Sequence, residues 1–223
     1  MKEMTVILGT AHRLREPGKH SPDGRLRECI YSREIVRELK KKLEAAGVRV
    51  LTDYEPLDLP RSMQSSNWKR EQQNELAMRV NYVNEVCRQR GAENVIYVSI
   101  HVNASGADGK WHEARGWCVY TSPGRTRADE LATSLWNAAN RLLPKTGRSA
   151  IRADWTDGDP DYEAKFYVLT KTRCAAVLTE NLFQDNREDV DFLLSEAGRR
   201  MIVDLHAEGI LDYFSVCHTD GRR

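Results

Sequence analysis

The six residues Val95-Ile96-Tyr97-Val98-Ser99-Ile100, ending at His101, restrict the fold more than any other stretch of the chain. Their β-branched and aromatic side chains leave little polar surface on either alternating set of positions, which suits a strand buried on both faces of a sheet. Shorter runs of the same kind stand at 5–8, closed by Gly9, and at 48–51, 116–121 and 175–178. Between them the apolar spacing turns helical. Ile35, Leu39 and Leu43 precede Gly47; Leu76, Val80, Val83 and Cys87 precede Gly91; Leu131, Leu135 and Leu142 precede Pro144. Each series predicts an amphipathic helix with a breaker in place to end it. Two more helical segments close the chain, at about 186–195 and 198–214. Strands alternating with helices predict an α/β sheet covered on both faces, in which ligands bind outside the carboxyl ends of the strands.

Two polar stretches interrupt this alternation. Residues 55–75 are long for a structureless loop and are expected to carry a short helix. Residues 145–165 are rich in Gly, Asp and Pro. A length of 223 residues suits one domain, expected over 1–215 with a polar tail at 216–223. Lys plus Arg number 34 and Asp plus Glu 33, a net charge of +1, so no global field draws the chain to nucleic acid or an anionic membrane. No apolar run approaches the ~20 residues of a membrane span. The five cysteines are odd in number and none forms C-x-x-C, so they are expected to be reduced, mostly buried thiols.

Three polar residues fall at predicted strand ends: His12 after the first, His101 after the strongest and Glu180 after the run at 175–178. A catalytic zinc site commonly takes three side-chain ligands and leaves a fourth position open, and a nearby carboxylate can act as general base. His12 and His101 are the natural nitrogen ligands, Glu28 can turn into the same crevice from just before the first helix, and Glu180 is placed to act as the base. The alternative for each is an ordinary polar residue at the end of an element. His20 and His112 belong to loops. His206 and Glu208 lie in the last helix without H-E-x-x-H, so His206 is expected to be structural. The glycines from 18 to 24 match no phosphate-binding pattern, and that segment reads as the loop carrying Glu28 back toward His12. No serine sits in G-x-S-x-G, and Cys118 and Cys174 lack a nucleophile's local motif.

The order of His12, Glu28, Arg79 and Asn84, then Ser99-Ile100-His101-Val102-Asn103-Ala104, then Glu180-Asn181-Leu182-Phe183 with Asn186, resembles the zinc-dependent N-acetylmuramoyl-L-alanine amidases of the amidase-3 type. The likeness spans about residues 4–214. It implies a single α/β domain with a mixed, mostly parallel sheet of about six strands flanked by helices. It also implies one Zn2+ per chain held by His12, Glu28 and His101, with Glu180 catalytic. The implied substrate is peptidoglycan, cut between the lactyl group of N-acetylmuramic acid and L-alanine. Asn103 keeps its family position; read from the loop itself, Arg152, Trp155 and Lys165, with Arg148, offer cations and an aromatic ring to a stem peptide's carboxylates and a sugar, the alternative being an ordinary solvated loop. Two departures stand out. Gly9-Thr10-Ala11-His12-Arg13 lacks the glycines that usually follow the first histidine, and Leu182-Phe183 replaces the usual Gly-Phe.

No nucleic acid and no membrane insertion are expected, and a monomer is favoured. The start of the chain has no signal-peptide apolar region. The expected product is therefore made in the cytoplasm and acts on the wall after release or export, unless it is the mature form of a secreted protein. The competing readings are a non-catalytic peptidoglycan-binding module and a zinc carboxypeptidase cutting within the stem peptide.

Overall fold

A computed structural model of the chain describes residues 4–143 and 151–219. Strand β1 (Thr5–Thr10) leads to helix α1 (Glu28–Ala45), β2 (Arg49–Thr52), α2 (Trp68–Arg90) and β3 (Val95–Asn103). Then come β4 (Cys118–Thr121), α3 (Ala128–Leu142), β5 (Tyr162–Glu163), α4 (Tyr167–Lys171), β6 (Ala175–Phe183), α5 (Arg187–Leu194) and α6 (Glu196–Thr219). The sheet order is β2-β1-β3-β6-β4-β5. Its pairs are parallel except β4 with β6, which is antiparallel. This is the expected mixed, mostly parallel six-stranded sheet.

Alternation along each strand divides the core. Val6, Leu8, Ile96, Val98, Ile100 and Val177 pack with residues of α1, α3, α5 and α6, whereas Ile7, Val95, Tyr97, Ala176 and Leu178 pack with α2 and α4. The side chains on both faces are apolar because helices cover both. From β1 the chain passes to β2 on one side and then, through α2, to β3 on the other. The carboxyl ends of β1 and β3 therefore flank the point where the winding reverses, the position at which such sheets hold ligands. His12 and His101 occupy those two ends.

Gly47 (φ +82°) and Gly91 (φ +87°) end α1 and α2 at positive φ, which glycine adopts without steric cost. The stretch at 55–75 is shorter as a loop than its composition suggests. A 3-10 turn occupies Arg61–Met63, and α2 begins at Trp68, where the Asn67 side chain accepts from the backbone N–H groups of Lys69 and Arg70. The short β5 and α4 have no counterpart in the sequence pattern. The last helix runs to Thr219 rather than stopping at Phe214, so the first four positions of the expected 216–223 tail are helical. Residues 220–223 lie outside the described residues, as does Arg148. Among the described residues no helix is long and apolar enough to cross a membrane.

Candidate metal centre

The centre begins with α1, which is amphipathic in an unusual way: its first two turns bury polar side chains, Glu28, Ser32 and Arg33, before the apolar series starts at Ile35. Ser32 Oγ donates to the Ile100 carbonyl at 2.6 Å and accepts from the Ala11 N–H at 2.9 Å, fastening the ends of β3 and β1 to one helix. The Arg33 guanidinium donates to the carbonyls of Ala11 (2.8 Å), Cys29 (2.8 Å), His12 (3.2 Å), Pro56 (2.8 Å) and Glu55 (2.9 Å). These bonds hold His12 at φ +45°, a conformation that costs a non-glycine residue energy.

Glu28 opens α1 and is only 1% exposed. Its Oε1 accepts from the Val102 N–H at 3.1 Å and lies 3.0 Å from His101 Nδ1, while Oε2 lies 3.3 Å from His12 Nε2. The two imidazoles stand edge to face with centroids 5.1 Å apart. One ligand atom from each of His12, Glu28 and His101 falls within 4.8 Å of the others. The far nitrogens are also held: His12 Nδ1 lies 3.1 Å from Glu16 Oε2, and His101 Nε2 lies 3.1 Å from Ser99 Oγ. Histidine ligands typically have their second nitrogen anchored in this way, which fixes the ring and its tautomer. Two nitrogens, a carboxylate with a buried oxygen that accepts no hydrogen bond, and an anchor for each ring fit a zinc-type ion.

Burial alone would raise the Glu28 carboxyl, but His12 and His101 hold it well below the usual range. Burial would lower His12, yet Glu28 and Glu16 raise it to about 9; in His101 burial prevails over Glu28 and the pKa falls. Glu180 behaves oppositely. Burial, reinforced by the Glu28 charge, pushes it up to about 8. Glu180 is in register with His101 on β3 and with Cys118 on β4, and its buried Oε2 accepts no hydrogen bond. The Cys118 thiol is raised to about 12 by burial and by Glu180, an inert neighbour rather than a nucleophile. Cys29 and Cys87 are buried and Cys174 partly so, all three as free thiols.

The candidate substrate residues divide. Asn103 ends β3, its Oδ1 accepting from the Ala104 N–H at 2.8 Å. The Arg152 guanidinium lies 5.2 Å from the Phe183 ring and 6.0 Å from that of Tyr162, and it opposes Glu180 in its effect on Cys118 and Tyr120. Trp155 is 59% exposed and edge-on to Trp136 at 5.6 Å. Lys165 does not join them. It lines a cavity of about 700 Å³ with Arg127, Cys174 and Ala175, at the amino end of β6, because antiparallel β4 carries the chain away from the crevice. His20 and His112 bond locally, to the Ser21 carbonyl and to Asp108, and His206 is buried between Thr179 and the Ile202 carbonyl.

Sequence reasoning missed Glu16, Ser99, Ser32 and Arg33. Glu16 follows His12 by four residues, Ser99 shares a strand face with His101, and Ser32 and Arg33 are polar on the buried side of α1. The two departures from the family pattern also find their geometry. The Arg13 side chain, where glycine is usual, is buried against Glu75 (2.8 Å) and Glu71, and Leu182 adopts φ +63° at the position of the usual glycine.

A helix-covered α/β sheet carries a largely buried His-Glu-His group at its carboxyl edge, with a raised carboxyl one strand away, a set of side chains that could hold a metal ion beside a proton-transfer group. The family profile of the amidase-3 N-acetylmuramoyl-L-alanine amidases matches residues 6–212, and the chain belongs to that family. It is similar to the endolysin of Bacillus phage SPP1, 28% identical over 134 residues, which cover 60% of this chain and 45% of the phage protein. The match therefore spans less than half the length of that relative. Among solved structures, the CwlD amidase of Clostridioides difficile, in complex with the GerS lipoprotein, superposes with a TM-score of 0.73 at 21% identity, covering 96% of this chain and 100% of that one. An N-acetylmuramoyl-L-alanine amidase from Clostridium difficile 630 gives 0.72 at 18% identity, covering 96% and 98%. At these identities the two structures bear on the fold.

Proposed function

We propose that this chain hydrolyses the amide bond between the lactyl group of N-acetylmuramic acid and L-alanine of the peptidoglycan stem peptide. His12, Glu28 and His101 would hold one zinc ion. When bound there, zinc supplies Lewis-acid polarisation of a carbonyl and acidification of water. Glu180 accepts the proton of the attacking water and returns it to the alanine nitrogen as the C–N bond breaks. The observation that carries this reading is the placement of Glu180: one strand from His101 and in register with it, with a buried oxygen that bonds to nothing in the protein. A pKa near 8 leaves that carboxyl able both to take and to give a proton close to neutral pH. Asn103 and Arg152 flank the same edge, where Arg152 suits a stem-peptide carboxylate. The chain would reach its substrate in the cell wall after release or export.

The test is amine release from purified peptidoglycan, with mass spectrometry of the soluble products, for wild type, Glu180→Ala and metal-stripped protein. Stem peptides with a free N-terminal alanine, lost in both controls and restored by zinc, are expected. Wall binding without release would favour a binding module; fragments cut inside the peptide would favour a carboxypeptidase.

A further inference from the structure

A second recess lies on the same rim of the sheet, on the β2 side of the metal centre. Its volume is about 450 Å³, and Arg13, Arg15, Asp58, Gln64, Ser66 and Trp68 are among the residues that line it. The loops that build it, residues 13–17 and 58–66, leave the carboxyl ends of β1 and β2, and Arg13 follows His12 directly in the chain. Its volume falls within the common range for small-molecule sites, roughly 300–1,000 Å³.

The chemistry of the walls selects the occupant. Each arginine has at least one carboxylate beside it: buried Arg13 pairs with Glu75 (2.8 Å) and Glu71, and the solvent-exposed Arg15 lies 3.8 Å from Asp58. An anionic peptide therefore finds little free positive charge in the recess, although Lys69 Nζ stands 5.8 Å from the Trp68 ring at its rim. Beyond these ion pairs the recess offers the indole of Trp68, 51% exposed, the Ser66 hydroxyl and the Gln64 amide, whose Nε2 already donates to the Leu59 carbonyl at 2.8 Å. A flat aromatic face with uncharged donors and acceptors beside it matches a pyranose ring, which offers C–H groups on one face and hydroxyl or acetamido groups around its edge. The other flank differs in charge: Arg152 has no carboxylate partner among the described residues.

We infer that the Trp68 recess is a carbohydrate subsite that binds N-acetylated sugar units of the glycan strand, leaving the β4–β5 flank to the stem peptide. The inference rests on the amidase reading for the identity of the whole substrate. Sugar binding itself can be measured without any bond being cut.

Zinc-loaded wild type, Trp68→Ala and Trp68→Phe are titrated with the β-1,4-linked tetramer of N-acetylglucosamine, followed by tryptophan fluorescence. Wild type should give a saturable change, and calorimetry should detect sugar binding in wild type and Trp68→Phe that Trp68→Ala loses. On glycan-linked stem peptides, Trp68→Ala should raise KM about tenfold with kcat within about twofold, equivalent to weakened ground-state and transition-state binding alike. The KM effect should vanish for a muramoyl peptide carrying a single sugar. If Trp68→Ala binds the tetramer as wild type does and KM for the glycan-linked substrate is unmoved, the subsite is wrong. If wild type binds the tetramer through Trp68 but releases no alanine-terminated peptide, the amidase reading falls and the subsite stands.

Discussion

Arg33 Nη2 donates to the carbonyl oxygen of His12 at 3.2 Å, from a guanidinium whose other N–H groups are shared among four further carbonyls. A buried cation is thus used to shape backbone, and the piece it shapes carries the candidate metal ligand His12 at positive φ. Replacing Arg33 with Met removes all these donors while keeping much of the volume. Zinc affinity should fall by about tenfold to a hundredfold, the range seen when groups supporting a ligand are lost. Competition against a chromophoric chelator measures it, and an affinity equal to wild type would show that the His12 loop holds its shape unaided.

Glu180→Gln keeps the shape of the side chain and removes its ability to take a proton. Hydrolysis should drop by about two to four orders of magnitude. The zinc content, read by elemental analysis, should remain at the wild-type level because Glu180 is not a ligand in this reading. Loss of the metal along with activity would reassign Glu180 to the coordination sphere.

His206 is buried, with Nδ1 2.7 Å from the Ile202 carbonyl and Nε2 2.9 Å from Thr179 Oγ1, and burial lowers its pKa from 6.5 to about 4. A folded-state pKa below the unfolded one means that the neutral ring contributes stability above pH 6.5, and that this contribution is lost as pH falls from 6.5 through 4. The full shift corresponds to about 3 kcal/mol. Urea unfolding at steps across that window should give a steeper loss of stability for wild type than for His206→Gln. Parallel slopes would mean that His206 titrates alike in the folded and unfolded chains.

Gly9 lies beneath Tyr97, whose hydroxyl donates to Asp53 Oδ2 at 2.9 Å, and a Cβ at position 9 would overlap that ring. Gly9→Ala should destabilise the domain by about 1–3 kcal/mol through overpacking. Combined with Tyr97→Leu, the two changes should be less damaging than their sum, a coupling that a double-mutant cycle in thermal unfolding reads directly. Simple additivity would place the cost of Gly9→Ala elsewhere.

The sheet was legible because its strands are apolar on both faces, and the candidate metal-binding group because each member stands where such a strand ends or where the first helix begins. Glu180 was readable for the same reason. What escaped was decided by tertiary contact. The two-residue β5 has no periodicity to detect, and α4 is too short to show one. Lys165 looked like a neighbour of Arg152 in the chain, but the reversal at β4 puts it at the far end of the sheet. Arg33 reads as a solvated charge in any helical pattern. Only the five carbonyls arranged around it give it a different role.

Helix α1 buries Glu28, Ser32 and Arg33 in its first two turns, beside Cys29 and Tyr31, before its uninterrupted apolar series begins at Ile35. An engineer seeking a hardier protein would find those buried polar positions the most tempting to fill with leucine or methionine, since well-packed apolar groups often replace buried charges at no cost in stability. Such a variant would leave the carbonyls around position 33 without donors and would lose Glu28 from the candidate metal group. The segment that looks least optimised is the one whose improvement removes the reason for having it.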